Sequence, residues 1–248
     1  MTLKNFFLNQ LKDQVLSGKT RPKKWRVEQL QALSNLLDNH QQEILNALHQ
    51  DLGKPPTEAF FEIIAVKQEI KLVQKNLSNW MKAKKINVPV SLRPAQAFIQ
   101  PDPLGCILII GPWNYPFSLT LQPLVGALAA GNTAVLKPSE HAPHVSNLIK
   151  TLIEKYFPPE ITQVVEGDGN TAADLMCQQF DHVFFTGGEN IGKKVMEAAS
   201  KNLTPVTLEL GGKSPALVID GANLEVTAKR IIWGKSLNAG QTCIAPDH

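Results

Sequence analysis

The stretch CILIIGPWNYPFSLTLQPLVGALAAGNTAVLKPSE, residues 106–140, decides the fold. It opens with the apolar run 106–110, passes through a helical pattern over 118–130 and reaches a second apolar run at 133–136. Short apolar runs that alternate with helical segments are typical of a parallel sheet with crossover helices. These residues therefore predict one β-α-β unit.

The same alternation continues toward the C-terminus. Further strands are predicted at 161–165, 182–185, 206–210 and 216–219, and a last helix is predicted from about Leu224 by its apolar i, i+4, i+7, i+8 spacing. The intervening helices are predicted at 145–156, 172–177 and 191–199. The fold class that this pattern predicts is α/β, with a parallel sheet of the nucleotide-binding type.

A different pattern precedes the sheet. Leucine and isoleucine recur at helical spacing through residues 1–50 and 56–82, which predicts a helical N-terminal layer. Prolines and β-favouring residues at about 86–103 predict a protruding hairpin suited to subunit contact. We expect residues 1–205 to form one domain that includes this hairpin, and residues 206–248 to begin a second, truncated α/β domain.

Composition restricts the class of protein. The 25 Lys and Arg exceed the 22 Asp and Glu by only three and are scattered, so no nucleic-acid surface is predicted. Cys106, Cys177 and Cys243 are too few and too widely spaced for a disulfide framework or a zinc site, and they fit reduced thiols. With no apolar run of about 18 residues, we expect a cytoplasmic protein, with membrane association only through a C-terminal segment beyond this sequence.

Three segments compete as nucleotide-binding sites, and two of them are rich in glycine. GDGNTA at 167–172 formally fits the dinucleotide fingerprint, but a strand-to-helix turn needs glycine for backbone reasons alone. GGENIGKK at 187–194 nearly spells a P-loop, yet Lys194 replaces the Ser or Thr that would hold Mg²⁺, which disfavours a P-loop NTPase. In KPSE at 137–140, Lys137 and Glu140 could hold ribose hydroxyls, although a surface ion pair fits them equally.

Three further residues carry candidate chemistry. Asn114 follows the first strand and could donate to an oxyanion, Glu209 ends a strand and, if buried, would suit a general base, and Cys243 is a candidate nucleophile. Each also has an ordinary structural reading, as a turn residue, a strand-end charge and a small buried side chain. Their combination is more specific than any one of them.

Five motifs follow one another along the chain: PWN at 112–114, KPSE at 137–140, FTGG at 185–188, ELGGK at 209–213 and GQTC at 240–243. Their order and rough spacing resemble those of aldehyde dehydrogenases. The compact N-terminus and GPWNYP at 111–116 are most similar to the class 3 branch, which includes fatty aldehyde dehydrogenases. The resemblance covers essentially the whole chain.

The resemblance implies a Rossmann-like domain and NAD(P)-dependent oxidation of an aldehyde to a carboxylic acid. It implies that Cys243 attacks the aldehyde carbon, that the Asn114 side chain and the Cys243 backbone N–H hold the oxyanion, and that Glu209 activates the water that hydrolyses the thioester. No metal is implied. The cofactor-binding residues that it implies are Trp113, Lys137, Ser139, Glu140, Gly187, Gly188 and Gly192.

Two of these residues bear on the cofactor and the reaction subtype. Glu140 would repel a 2′-phosphate and so favours NAD, with NADP possible. Glu209 favours hydrolysis over acyl transfer to coenzyme A, and an acyl phosphate reductase would not need it. Gly188 departs from the serine that many members carry, which removes one donor to the pyrophosphate.

The expected partners are a small aliphatic aldehyde and, for a full-length form, a second copy in a homodimer.

Family members continue for about another domain beyond the nucleophile. We therefore expect this sequence to be the N-terminal half of such an enzyme and the 248-residue chain to have little or no activity, because normally covered strands and Cys243 would be exposed to water. The alternative is a non-catalytic remnant that binds a nucleotide or a partner.

Overall fold

The structure, a computed structural model, describes residues 6–248, with side chains described from Leu8 onward. The helices in this range are α1 Phe6–Leu16, α2 Lys23–Asn39, α3 Gln41–Leu52, α4 Pro56–Trp80, α5 Ser118–Ala129, α6 Pro143–Tyr156, α7 Gly169–Met176, α8 Glu189–Ser200 and α9 Leu224–Ser236, with short 3-10 helices at Val90–Leu92 and Leu237–Gly240. The strands are β1 Lys84–Ile86, β2 Ala97–Ile99, β3 Cys106–Ile110, β4 Thr133–Lys137, β5 Thr162–Val164, β6 His182–Gly187 and β7 Val206–Leu210.

Strands β3 to β7 form one parallel sheet in the order β5-β4-β3-β6-β7. The chain first moves outward from β3 to β5 and then returns to place β6 on the other side of β3. In open α/β sheets, ligands bind beyond the carboxyl ends of the strands where the strand order reverses in this way. The α/β class with a Rossmann-like parallel sheet is thus confirmed, and its switch point lies between β3 and β6.

Both faces of the sheet are covered, and the central strand β3 is apolar and buried at every position. Ile107 and Ile109 point into a core built from α2 to α6, whereas Cys106 and Leu108 point into a second core with α1, α7 and α8. This alternation follows from the two-residue period of a strand. The helical N-terminal layer predicted from the sequence is present, except that residues 1–5 of that prediction lie outside the described range.

The region after β6 differs from the prediction in two ways. β7 pairs with β6 from Val183↔Val206 to Gly187↔Leu210, so the strand assigned to the second domain is the edge of the first sheet; the domain division itself stays a prediction. The strand predicted at 216–219 is wrong. That segment has no regular structure, since the Ala216 N–H donates to the His248 carbonyl instead of to a neighbouring strand.

The arms between α4 and β3 form the antiparallel pair β1–β2, in the region for which the sequence predicts a hairpin. Its apolar side chains are solvent-exposed, namely Ile86, Val90, Leu92, Phe98 and Ile99. Across residues 6–248, no helix is both long enough and apolar enough to span a bilayer.

Candidate active site

A cavity of about 1020 Å³ opens at the carboxyl ends of β3, β4, β6 and β7. It lies at the switch point of the sheet, where the topology alone predicts a ligand site. The predicted site residues that line it are Trp113, Asn114, Lys137, Ser139, Glu140, Gly187, Gly188, Glu209 and Cys243. The fold therefore brings together residues that are up to half the chain apart in sequence.

Asn114 stands on the loop that leaves β3. The loop turns at Gly111, where an added Cβ would lie 2.0 Å from the Thr120 hydroxyl, so only glycine fits beside α5. The Asn114 amide Nδ2 donates to the Gln241 carbonyl oxygen at 2.9 Å. Because the amide carries two N–H groups, one is left over from this bond, and Asn114 lines the cavity.

Cys243 follows a short 3-10 helix in which Asn238 and Ala239 adopt left-handed backbone angles. Its thiol is exposed at the cavity rim. The neighbouring Thr242 shares a 2.6 Å hydrogen bond with the Tyr115 hydroxyl. The nucleophile loop is therefore tied to the Asn114 loop by both side chains and main chain.

Glu209 lies near the carboxyl end of β7, next to the cavity. Burial was the condition under which Glu209 would suit a general base, and in this chain Glu209 is exposed, so the condition is not met. A carboxylate in contact with water can still receive a proton from a water molecule.

The residues predicted to hold ribose are arranged as a pair at the end of β4. The buried Lys137 ammonium donates to Glu140 Oε2 at 2.7 Å. Partial burial alone would raise the pKa of the Glu140 carboxyl, but the hydrogen bond and charge of Lys137, a backbone hydrogen bond and the charge of His141 together outweigh burial and lower that pKa. Ser139 is buried and its hydroxyl accepts the His141 N–H. Glu140 is thus an ionised acceptor at the cavity edge.

The glycines after β6 present a helix N-terminus to the cavity. Gly188 begins α8 without a side-chain cap, and an added Cβ there would meet no atom within 4 Å. Unpaired N–H groups beside open space suit a phosphate. Gly192 is placed differently from the prediction: it is absent from the described cavity lining, and an added Cβ there would lie 2.9 Å from Leu210.

The competing glycine segment at 167–172 does not offer the same feature. The Asp168 carboxylate accepts the N–H groups of Asn170 and Thr171 and so caps α7 itself. A carboxylate in that position repels phosphate. The formal match to the dinucleotide fingerprint therefore has a backbone explanation.

Four residues around the site were missed by the sequence reasoning: Lys54, Glu58, Tyr115 and Asn238. Lys54 and Asn238 both donate to the Asn114 carbonyl oxygen, at 3.0 and 2.8 Å. One signal was available. Glu62, the partner of Lys54, falls on the apolar face of α4 beside Ile63 and Val66, where an unpaired carboxylate would be costly.

Comparison with known proteins gives an independent assignment. The sequence profile of the aldehyde dehydrogenase family matches residues 13–248. Aldehyde dehydrogenase family 3 member A2 of Pongo abelii is 44% identical over 242 residues, which are 97% of this chain and 50% of that protein. The dimeric NADP-preferring aldehyde dehydrogenase of Mus musculus is 45% identical over 97% of this chain and 53% of its own length.

A solved structure agrees with the sequence matches. The substrate-bound state of Staphylococcus aureus AldH superposes with a TM-score of 0.95 and 45% identity, covering 100% of this chain and 54% of that one. The chain thus spans about half the length of the relatives it matches, and that half is N-terminal. The class 3 resemblance carried by the five motifs is confirmed, and the chain belongs to the aldehyde dehydrogenase family.

Proposed function

We propose that this chain carries the nucleophile and cofactor half of an NAD(P)-dependent oxidation of an aldehyde to a carboxylic acid. The observation that carries the proposal is that Asn114, Glu209 and Cys243 line one cavity at the sheet's switch point. These three side chains have separate roles in one acyl-forming reaction.

In the first step the Cys243 sulfur adds to the aldehyde carbon. An S–C bond forms, the carbonyl π bond breaks, and the oxygen takes the electron pair as an oxyanion. The free N–H of the Asn114 amide and the Cys243 backbone N–H donate to that oxygen. Oxidation of this adduct to a thioester breaks its C–H bond and re-forms the carbonyl, and the hydride would pass to the acceptor that a bound nicotinamide cofactor would supply. The Glu209 carboxylate then accepts a proton from the attacking water, and the Cys243 thiolate leaves as the acid forms.

The cofactor proposed for this reaction is NAD, with NADP as the alternative. The residues present fit a dinucleotide, because the uncapped N-terminus of α8 at Gly188 suits its pyrophosphate and the ionised Glu140 suits ribose hydroxyls. When bound, the nicotinamide supplies a hydride acceptor. Lys137 and Ser139 would hold the ribose end with Glu140, and Trp113 would border the nicotinamide end.

We propose a small aliphatic aldehyde as substrate and a homodimer as the state of the longer enzyme. The exposed apolar side chains of the β1–β2 hairpin support subunit contact through that hairpin. The three free cysteines support a reducing, cytoplasmic location.

For the 248-residue polypeptide itself we propose aldehyde addition without efficient oxidation. Cys243 and Glu209 are exposed, so water competes for every charge that develops there. Large apolar side chains between β7 and the nucleophile loop in sequence, such as Leu217 and Ile232, are exposed as well. We therefore expect little or no NADH from a medium-chain aldehyde.

The test uses residues 1–248 carrying Cys177→Ser, so that Cys243 is the exposed thiol. Reversible addition of hexanal to Cys243 should protect it from iodoacetamide at concentrations well below those that protect glutathione. Asn114→Ala should abolish that advantage, and Cys243→Ala should remove any trace of NADH formation. Protection equal to that of glutathione in both the parent and Asn114→Ala would refute the proposed chemistry.

The alternative, a non-catalytic remnant, is separated by the mass of the native protein. An antibody to an N-terminal peptide should detect a species clearly larger than the 27.3 kDa of this chain if it is half of an enzyme. A stable native species at 27.3 kDa would favour the remnant instead.

A further inference from the structure

A buried ion pair lies outside the cavity but touches the loop that carries Asn114. The Lys54 ammonium and the Glu62 carboxylate are only 2% and 1% exposed and are hydrogen-bonded to each other. Neither residue belongs to the described cavity lining. Because desolvation offsets most of the attraction within a buried pair, net stability alone explains such a pair poorly. Its other hydrogen bonds are a better guide to its role.

Glu62 fixes the end of the Asn114 loop. Its Oε2 accepts the Phe117 and Ser118 N–H groups at 3.1 and 2.9 Å and the Ser118 hydroxyl at 3.2 Å. These groups begin α5, which has no side-chain cap of its own. Glu62 therefore caps α5 from another helix, and its charge complements the positive end of the helix dipole.

Lys54 fixes the middle of the same loop. Its ammonium donates to the Asn114 carbonyl oxygen at 3.0 Å and lies 4.0 Å from the centre of the Tyr115 ring. Lys54 stands in a rigid link, between Gly53, which ends α3 in a left-handed conformation, and Pro55. Burial lowers the pKa of Lys54, and the Glu62 carboxylate opposes that shift.

The nucleophile loop is held from the same helix. Glu58, one turn before Glu62 on α4, accepts the Asn238 N–H at 2.8 Å. The Asn238 amide then donates to the carbonyl oxygens of Asn114 and Gln241 at 2.8 and 3.1 Å. Two carboxylates on one face of α4 thus anchor both loops that meet at the cavity.

We propose that Lys54 and Glu62, assisted by Glu58, are positioning residues that set the Asn114 amide against the Cys243 sulfur. The inference rests on the proposed function, since positioning matters only if an oxyanion forms between those groups. A misplaced hydrogen-bond donor stabilises a developing negative charge much less, because oxyanion stabilisation depends on preorganised geometry. A purely structural ion pair would affect folding but not aldehyde addition to a folded variant.

The experiment compares Lys54→Met/Glu62→Gln with the parent, both carrying Cys177→Ser. This double variant keeps the shapes and leaves no unpaired charge, so the chain should fold. The hexanal concentration that half-protects Cys243 should rise about tenfold, while alkylation without hexanal changes less than twofold. The matched control, Lys67→Met/Asp38→Asn, neutralises another ion pair of α4 and should match the parent. The proposal would be overturned if the folded Lys54/Glu62 variant were half-protected at a hexanal concentration within twofold of that for the parent.

A combination with Asn114→Ala shows whether the pair acts through Asn114. If it does, adding Lys54→Met/Glu62→Gln to Asn114→Ala should weaken protection by less than twofold beyond Asn114→Ala alone. Independent tenfold losses would contradict positioning.

Two further measurements cover the other outcomes. If the double variant does not fold, Glu58→Ala replaces it. This variant should raise the amide hydrogen-exchange rate of Asn238 at least tenfold and weaken the protection of Cys243 by hexanal about threefold. An unchanged exchange rate together with unchanged protection would overturn the proposal. If hexanal fails to protect Cys243 even in the parent, the proposed function fails. Amide hydrogen exchange then tests, without the aldehyde, whether Lys54 and Glu62 hold the two loops in place. The amide hydrogen-exchange rates of residues 112–118 and 236–243 should then rise in the Lys54/Glu62 variant but not in the control.

Discussion

Helices α4 and α9 both carry apolar stripes, but only α4 has a surface to pack against. The buried side chains of α4 are Ala59, Glu62, Ile63, Val66, Ile70, Val73 and Leu77. Within the described chain α9 buries none, and its Leu224, Ile232 and Trp233 are 71%, 64% and 65% exposed. An apolar stripe therefore identifies the face that can be buried, whereas burial itself depends on what lies opposite.

The candidate site straddles these two regions. Asn114 belongs to the packed side, where Lys54 and Glu62 hold its loop. Cys243 and Glu209 belong to the exposed side. The nucleophile loop nevertheless keeps its shape because Glu58 and Asn114 bind it from the packed side. The packed region thus fixes the geometry of the exposed region.

The largest effect is expected from breaking the buried ion pair. Glu62→Gln leaves the buried Lys54 ammonium without its hydrogen-bonded counter-charge, so the free energy of unfolding should fall by about 3–5 kcal/mol. Lys54→Met should cost a similar amount. In the double variant the loss should be smaller than the sum of the two, because no lone charge remains. Urea unfolding measures all three.

The control for this prediction lies on the same helix. Lys67→Met should change the free energy of unfolding by about 1 kcal/mol or less, since its partner Asp38 is 56% exposed. Additive losses in the Lys54/Glu62 cycle would mean that the two side chains do not act as a pair.

The sequence predicted the sheet well where strands are buried on both faces. β3 and β4 were found within one residue because their apolar runs are continuous and their ends are marked by glycine and proline. The segment 216–219 has similar composition but pairs with no strand of the described sheet, and it stays irregular. A strand is defined by its neighbours as well as by its residues, and only the residues can be read directly.

The site was predictable to the extent that its residues fall in local motifs. Asn114, Lys137, Glu140, Gly188 and Glu209 lie at strand ends or shortly after them, Cys243 follows a short 3-10 helix, and all six line the cavity. The positioning contacts were not predictable, because each joins distant segments: Glu58 and Asn238 are 180 residues apart. Whether Glu209 is buried was left open for the same reason.

The second prediction compares matched truncations in the two helices. Ile63→Ala removes a fully buried side chain from α4 and should lower the free energy of unfolding by about 2–5 kcal/mol. Ile232→Ala removes the same atoms from an exposed position of α9 and should change it by about 0.5 kcal/mol or less. Equal losses in urea unfolding would show that α9 is packed in solution and that the contrast between the helices is false.

The third prediction leaves the natural sequence unaltered and should perturb stability least. Burial raises the pKa of the Cys106 thiol to about 12, so near neutral pH this residue stays protonated in the core between the sheet and α1. Because the thiolate is the reactive form, iodoacetamide should label Cys177 and Cys243 in the native protein and reach Cys106 only after denaturation. Peptide mass spectrometry counts the labelled sites. Labelling of native Cys106 at the rate of Cys243 would mean that the packed region opens as readily as the exposed one, which would remove the basis for assigning them different roles.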